Sequence, residues 1–405
     1  MVSNIKTLTD IFRSELKLIF QDPGSLLIMV GAIFLYGFFY MIPFSNHILR
    51  DVPIGVIDND NSALSREVTR NLDANEFLKV VSKPDNLEQA KDEYYKNKIR
   101  AFVLIPKDFE RDINRGANSF VSAYEDSSFL IVYKQVATGI GETIGQESAK
   151  IEIASLMKKG LSKQQSESVK MPFDFVQMPL YNPIGSYQNY IYPLVLIMIL
   201  QQTMLIGVSM LGGTLKEKIQ GVRQRNRNGK SVFYKVKRVN KYTDNPYIIV
   251  LGKSFAYVFL YFIYAMIYFF IFPAFVVYDM NINFFSMLLI LLPFLFATAF
   301  LGQAMLYFCF KRESSLFVLI VSSVPLIFLP GFVWPKESIP FVLNVISHVI
   351  PVTSGIDGLV KINQMGASFS QVQKDFWILL ILCAIYFLFA VQVVKNMQKD
   401  CLKNS

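Results

Sequence analysis

Histidine and cysteine are scarce in this 405-residue chain, and neither clusters. His47 and His348 stand far apart, with no cysteine or second histidine at ligand spacing, so no metal centre is expected. The three cysteines, Cys309, Cys383 and Cys401, all lie in the C-terminal part. None falls between residues 44 and 188, so that stretch has to fold without disulfides, whatever its compartment. Charge is also short, at 18% of residues, and it avoids the centres of the long apolar runs. A charge in mid-span is costly and marks an ion or proton path. Only Lys253 and Asp279 come near such runs, close to their ends, which speaks against an ion-coupled pump.

Apolar length is what the chain has in excess. It is 53% hydrophobic, with a mean hydropathy of +0.37, too apolar for an ordinary soluble protein. A hydrocarbon core of about 30 Å needs about 20 consecutive apolar residues in a helix. Six stretches qualify: Gly24–Ile42, Tyr190–Leu211, Ile248–Phe275, Phe284–Phe310, Leu316–Phe332 and Phe376–Val394. A polar insert, roughly Asn46 to Tyr187, splits them one plus five. The residues before the first run are polar, and no small-residue cleavage pattern follows it, so it reads as a retained span.

The net charge of +9 is unevenly placed. In Lys216–Lys241, ten basic residues accompany a single acid, Glu217. Lys6, Arg13 and Lys17, then Lys311 and Arg312, then Lys395 and Lys399 fall on the same side of a six-span chain. The insert falls on the other side, with its charges nearly balanced. Short cytoplasmic loops collect Lys and Arg, so both termini are expected inside and the insert outside. Anionic lipid attracts each such charge by about 1 kcal/mol, and no nucleic-acid partner is needed to explain the basic loop.

The expected fold class is therefore membrane all-α, six transmembrane helices (1+5), with an inserted extracytoplasmic α/β domain. Residues 1–23 form an interfacial elbow helix, 24–43 the first span and 44–188 the insert. The second span is 189–213, followed by a basic cytoplasmic loop at 214–247. Spans three to five are 248–275, 284–310 and 314–332. An outer re-entrant segment and loop takes 333–373, the sixth span 374–395 and a cytoplasmic tail 396–405.

Ile5, Leu8, Phe12, Leu16 and Ile19 make the apolar stripe of the elbow helix, which Asp22-Pro23-Gly24 terminates. The insert alternates strand and helix signals. Strands are expected at Val52–Asp58, Phe77–Ser82, Arg100–Ile105 and Ser119–Tyr124, with helices at Ser62–Ala74, Leu87–Asn97 and Lys107–Asn114. A long helix at Phe129–Lys159 and a last strand at Phe173–Leu180 follow. Such alternation predicts a small α/β layer with parallel pairs. Gly139, Gly141 and Gly145 in the long helix read as close helix packing.

Gly229-Lys230-Ser231 and Gly252-Lys253-Ser254 imitate the end of a phosphate-binding loop. That loop needs another glycine five residues earlier, and Gln224 and Tyr247 stand there. Gln201, Gln202 and Gln303 read as interhelical hydrogen-bonding groups. The apolar run Phe341–Val349 is too short to cross and lies between Pro340 and Pro351, which suggests a broken or re-entrant segment.

These pieces, in order, resemble the permease subunit of type-2 ABC exporters, in the branch with a large extracytoplasmic domain after the first span. The matching elements are Asp22-Pro23 at the end of the elbow helix and the D-x-D-x-S turn of Asp58, Asp60 and Ser62. Tyr181-Asn182-Pro183 matches the return to the membrane, and Gly252-Lys253 the opening of the third span. Lys216-Glu217-Lys218 with Gly221 is similar to the family's coupling element, with Val222 in place of a threonine and a longer basic stretch, Arg223 to Asn245, behind it. Gly331, Pro335, Pro340 and Pro351 match the outer re-entrant element.

The resemblance implies a permease half that exports a substrate with energy from a separate cytoplasmic ATPase subunit. Lys216, Glu217, Lys218 and Gly221 would receive the force. This chain would bind no cofactor and hold no catalytic residue, with ATP and Mg on the ATPase. Further implied partners are a second permease copy or paralogue, the lipid bilayer of the bacterial inner membrane, and a periplasmic adaptor protein. A non-transporting secretion or phage-receptor scaffold shares this topology. An integral membrane enzyme would need a carboxylate, His or Cys cluster that does not converge here.

Overall fold

The structure, a computed structural model, describes residues 2–41, 49–170, 180–182, 186–220, 223–225, 231–233, 238–272, 284–308, 311–314, 316–317, 320, 328–331, 334 and 336–403. Most of the expected fifth span lies outside these, as do Gly221, Pro335 and most of the strand expected at Phe173–Leu180. The chain divides into two compact units, Met1–His47 with Leu180–Ser405, and Ile48–Pro179.

Helix α1 (Val2–Gln21) ends where Asp22, in extended backbone, accepts the Ser25 N–H at 2.8 Å. Pro23 takes the first position of the short α2 (Pro23–Leu26), where its missing N–H is no loss. The axis turns by 87° there and continues through a π-helical stretch, Leu27–Ala32, into α3 (Ile33–Met41). The buried line of α1 is Ile11, Glu15 and Ile19, whereas Ile5 is 57% exposed. The face packed on protein is thus rotated from the stripe expected at Ile5, Leu8, Phe12, Leu16 and Ile19, and it carries an acid.

In the second unit, β1 (Val52–Asp58), α4 (Ala63–Asp73), β2 (Leu78–Ser82), α5 (Leu87–Tyr95), β3 (Ala101–Ile105), α6 (Phe109–Asn114) and β4 (Ser122–Glu125) follow in turn. The sheet order is β2-β1-β3-β4, with β1 parallel to β2 and β3, and β4 antiparallel to β3. β1 is buried on both faces, hence its near-continuous apolar run. Val52, Ile54 and Val56 pack with Val68 and Leu72 of α4 and with Val136 and Ile140 of α7 (Leu130–Lys158). Ile57 meets Ala90 of α5 and Phe102 on the other face. Gly139 lets α7 approach β2, since a Cβ there would lie 2.8 Å from Leu78 Cγ; Gly141 and Gly145 have open space instead. A short α8 (Lys163–Lys170), absent from the sequence reading, closes the unit.

The D-x-D-x-S stretch is a folding device. Asp58 accepts the N–H groups of Asp60 and Asn61 at 3.1 and 2.9 Å and the Ser65 hydroxyl at 2.8 Å. Ser62 and Ser65 cap α4 reciprocally, and Asp60 accepts the Glu110 N–H at 3.0 Å.

Back in the first unit, Asn182 exchanges hydrogen bonds with Ser186 just before α9 (Tyr187–Gln220). A two-stranded ribbon, β5 (Arg223–Arg225) and β6 (Ser231–Phe233), precedes α10 (Pro246–Met266) and α11 (Phe284–Ala304). Then come α12 (Phe341–Ser347), α13 (Pro351–Met365) and α14 (Phe369–Lys403). Among the described residues four helices are long and apolar enough to cross a membrane, or up to six if each of two bent pairs counts as a span. The four are at the expected second, third, fourth and sixth spans. The bent pairs are α1 with the following helix, and α12 with α13 at 85°.

Close approaches give the directions. A Cβ on Gly212 would meet Leu306, and one on Gly302 would meet Val208, so α9 and α11 run parallel. Cys383 opposes Pro293, and Phe387 stacks edge-on with Phe300, so α14 runs the same way. Helix α10, with the π-helical stretch Ile267–Ile271 that extends it, runs opposite, since Ser254 bonds to Gln303 at 2.6 Å and Phe270 meets Phe284 at the start of α11. Gln303 thus makes the expected interhelical bond, whereas buried Gln201 Oε1 and both polar atoms of Gln202 find no partner among the described residues.

Within 333–373, where a re-entrant segment and a loop were expected, α12 and α13 form a bent helix pair, and α13 is helical where the loop was expected. Its 15 residues, about 22 Å long, begin beside Phe294, halfway along α11, and return to Asn189, whose carbonyl accepts the Gln364 amide. Gly355 and Gly358 lie against Phe294 and Ile290.

Helix α1 sits on α10 because Gly252 has no side chain. A Cβ there would lie 2.8 and 2.9 Å from Ile11 Cγ2 and Cβ, atoms that a β-branched side chain cannot swing away. Gly252→Leu is therefore expected to cost about 1–3 kcal/mol by overpacking. Thermal unfolding of the purified chain, followed by loss of the monodisperse peak, measures this, and an unchanged midpoint would refute the close packing of α1.

Candidate functional site

Two ion pairs hold the elbow helix to the bundle. The deeper one joins Glu15 of α1 to Lys253 of α10 at 3.4 Å, with side chains only 4% and 14% exposed. Tyr257, one turn further along α10, donates its hydroxyl to Glu15. Lys253 thus faces a carboxylate rather than lipid, which is how a cation near a span end becomes tolerable.

The second is built around Arg312, in the segment after α11. Its Nη1 and Nη2 donate to the two carboxylate oxygens of Asp22 at 2.5 and 2.7 Å, and Nη1 also donates to Thr214 Oγ1 at 3.2 Å. Its backbone N–H donates to Glu217 at 3.0 Å. One residue therefore ties the turn between α1 and α2 to the last turns of α9. Burial raises the Asp22 carboxyl, but the Arg312 guanidinium and the Ser25 N–H outweigh it and hold the group at about 2. The same contact with Asp22 raises Arg312. A bidentate fork of this kind needs arginine. Gly24 leaves room for it, since a Cβ there would fall 2.4 Å from Nη2.

Lys216 donates to the Leu306 carbonyl at the end of α11, and Lys218 is half-buried on the same stretch of α9. At this end of the bundle Gln398 also donates to the Asp244 carbonyl at 2.7 Å, and Lys395 lies 5.4 Å from the ring centre of Tyr247. Leu215, Leu306, Ile249 and Met397 line one small gap there.

Of the expected coupling residues, Lys216, Glu217 and Lys218 are the final turns of α9 itself rather than a loop at 214–247, and Gly221 lies outside the described residues. Asp22 and Glu217 are brought together through Arg312, and Pro23 opens α2. At the other end, Gly331, at φ +83°, lines a 180 Å³ hollow with Tyr190 and Lys361. Pro340 caps α12 and Pro351 opens α13. Pro335 is outside the described residues.

Sequence reasoning missed Glu15, Tyr257 and the roles of Lys253 and Arg312. The available signal was an acid four residues from both Ile11 and Ile19, inside an apolar stripe. Among the described residues no three His, Cys, Asp or Glu side chains converge as a metal ion requires.

A bent entering helix, parallel and antiparallel spans, and charge knots gathered at one bundle end are arranged as a membrane transport subunit would need. A family model described as ABC-2 family transporter protein matches residues 23–391. The chain belongs to the ABC-2 transporter family. No curated protein matches it significantly. As a member of that family it is a multi-pass membrane protein and an ABC transporter permease component.

Proposed function

We propose that this ABC-2 protein is the permease half of an ATP-driven exporter, working with a second permease copy or paralogue and with cytoplasmic ATPase subunits. The observation that carries this reading is the Arg312 knot, which links the elbow turn to the end of α9 beside the strongly basic stretch. A push on the end of α9 would reach the first span through Arg312 and Asp22. The unit Ile48–Pro179 would stand outside the bacterial inner membrane and both termini inside, as the positive charge at one bundle end supports. Helix α13, with Gly331 beside it, would close the outer end of the pathway. ATP and Mg would belong to the ATPase, and this chain would supply two alternative packings for ATP binding to bias.

Single cysteines at Ser127 and Ser231, on a background lacking Cys309, Cys383 and Cys401, test the orientation. An impermeant thiol reagent added to intact cells is expected to label the first and to reach the second only after permeabilisation. Labelling of both from outside would overturn the orientation. Co-purification in mild detergent is expected to bring an ATPase subunit with the chain. Its absence from the complex in cells that transport normally would remove the exporter reading.

A further inference from the structure

The loops after β1 and β2 and the exposed side of α4 enclose a cleft of about 660 Å³. It runs from the turn after β1 to the loop after β2, between α4 and the edge strand β2. Its size suits a small molecule, for which pockets run about 300–1,000 Å³. Arg66, Arg70 and Lys83 all line it. Arg70 and Lys83 have no ion-pair partner among the described residues, and Arg66 spends only Nη1, on the Asn61 carbonyl at 2.7 Å.

Asp58, Asp73 and Asp85 line the same cleft and formally balance these three cations, but among the described residues none of them forms an ion pair with Arg66, Arg70 or Lys83. Asp58 is engaged by three donors of its own turn, and Asp73 accepts the Val80 N–H at 2.8 Å on the outer edge of β2. Asp85 is the remaining carboxylate on the wall. Ser62 and Ser65 take up the N–H groups of Ser65 and Ser62 at the start of α4, and the attraction for an anion rests on the side-chain cations. Asn61 and Asp85 offer hydrogen-bonding groups suited to hydroxyls beside the cations.

We propose that this cleft binds a phosphate ester that also carries hydroxyl groups, the chemistry of a glycerol phosphate, whether free or as a lipid headgroup. Arg70 and Lys83 grip the phosphate, Arg66 adds a third cation at the rim, and the amide and carboxylate side chains hold the polyol. Every residue involved belongs to the unit Ile48–Pro179, so the site does not depend on the exporter reading.

Calorimetric titration of the full chain in maltoside micelles tests it. Glycerol 3-phosphate is expected to bind and glycerol is not. Arg70→Gln and Lys83→Gln should each weaken binding several-fold, and the pair together at least tenfold. Lys91→Gln, on exposed α5 across the sheet, should leave it unchanged. Dihexanoylphosphatidylglycerol below its micelle concentration separates the sources: tighter binding that glycerol 3-phosphate displaces identifies a headgroup, and binding of the soluble ester alone identifies a free phosphate. Both substituted side chains are exposed, so elution volume should not change, and the single variants carry the test if the double variant misfolds. No heat with either phosphate compound, or equal affinity in the variants, would overturn the assignment.

Discussion

Glu15→Ala is expected to remove about 3–5 kcal/mol of folding stability, an unusually large loss for one residue of α1. The cost comes from what remains. Lys253, whose side chain is 14% exposed, would keep its charge under α1 with no carboxylate opposite. Lys253→Met should be comparably damaging, because Glu15, at 4% exposure, would then be the uncompensated ion. Tyr257→Phe should cost less, about 1.5–3 kcal/mol, since it deletes one hydrogen bond to a charged group.

The double variant Glu15→Leu with Lys253→Met separates a buried ion pair from an ordinary surface pair. Removing both charges together leaves neither stranded, and an apolar pair of similar volume is often neutral or stabilising. Most of the single-variant loss should return. Unfolding in mixed micelles measures all four proteins, and additive losses in the double variant would show that the two residues do not interact.

That pair also marks where sequence reading stops. The strands of the second unit were legible because a parallel strand buried on both faces demands a β-branched run, as Val52–Asp58 has. The turn at Asp58–Ser65 was legible for the same kind of reason, since capping needs short polar side chains at fixed offsets. Helix α13 was not. Thr353, Ser354, Gly355, Asp357 and Gly358 lower both hydropathy and helix propensity, so the stretch resembled a loop. Those glycines are where Phe294 and Ile290 press against the backbone, and packing outweighs propensity there. Glu15 was passed over because periodicity ranks residues by apolarity, and only the partner on α10 explains an acid on the buried line. Arg312 was read as one positive charge among several. Its fork to Asp22 joins residues 290 positions apart, which no local pattern can reveal.

Arg312→Ala is expected to leave the complex assembled and to lower transport per ATP hydrolysed at least tenfold, with ATP still consumed. The substitution cuts three side-chain contacts at once, two to Asp22 and one to Thr214, while the backbone N–H to Glu217 survives. Movement at the end of α9 would then no longer carry the turn at Asp22. Arg312→Lys keeps a charge but loses the planar fork, so its coupling should fall in between. Asp22→Asn is the sharper variant. Asparagine caps a helix as well as aspartate does, so the bond to Ser25 can persist while the ion pair is lost. If the pair transmits force, Asp22→Asn should resemble Arg312→Ala in coupling while giving up only the stabilisation of the ion pair, since the helix cap persists. The carboxyl of Asp22 is held at about 2, below its ordinary 3.8, so its stabilising contribution is complete above about pH 4 and is lost as pH falls through 2. Coupling through this pair should accordingly be flat from pH 5 to 8, and a mid-range step would have to come from another group. Reconstitution with the ATPase, with hydrolysis and transport measured together, decides the matter: an Arg312→Ala complex that moves as much substrate per ATP as the unmodified one would leave the knot a structural brace only.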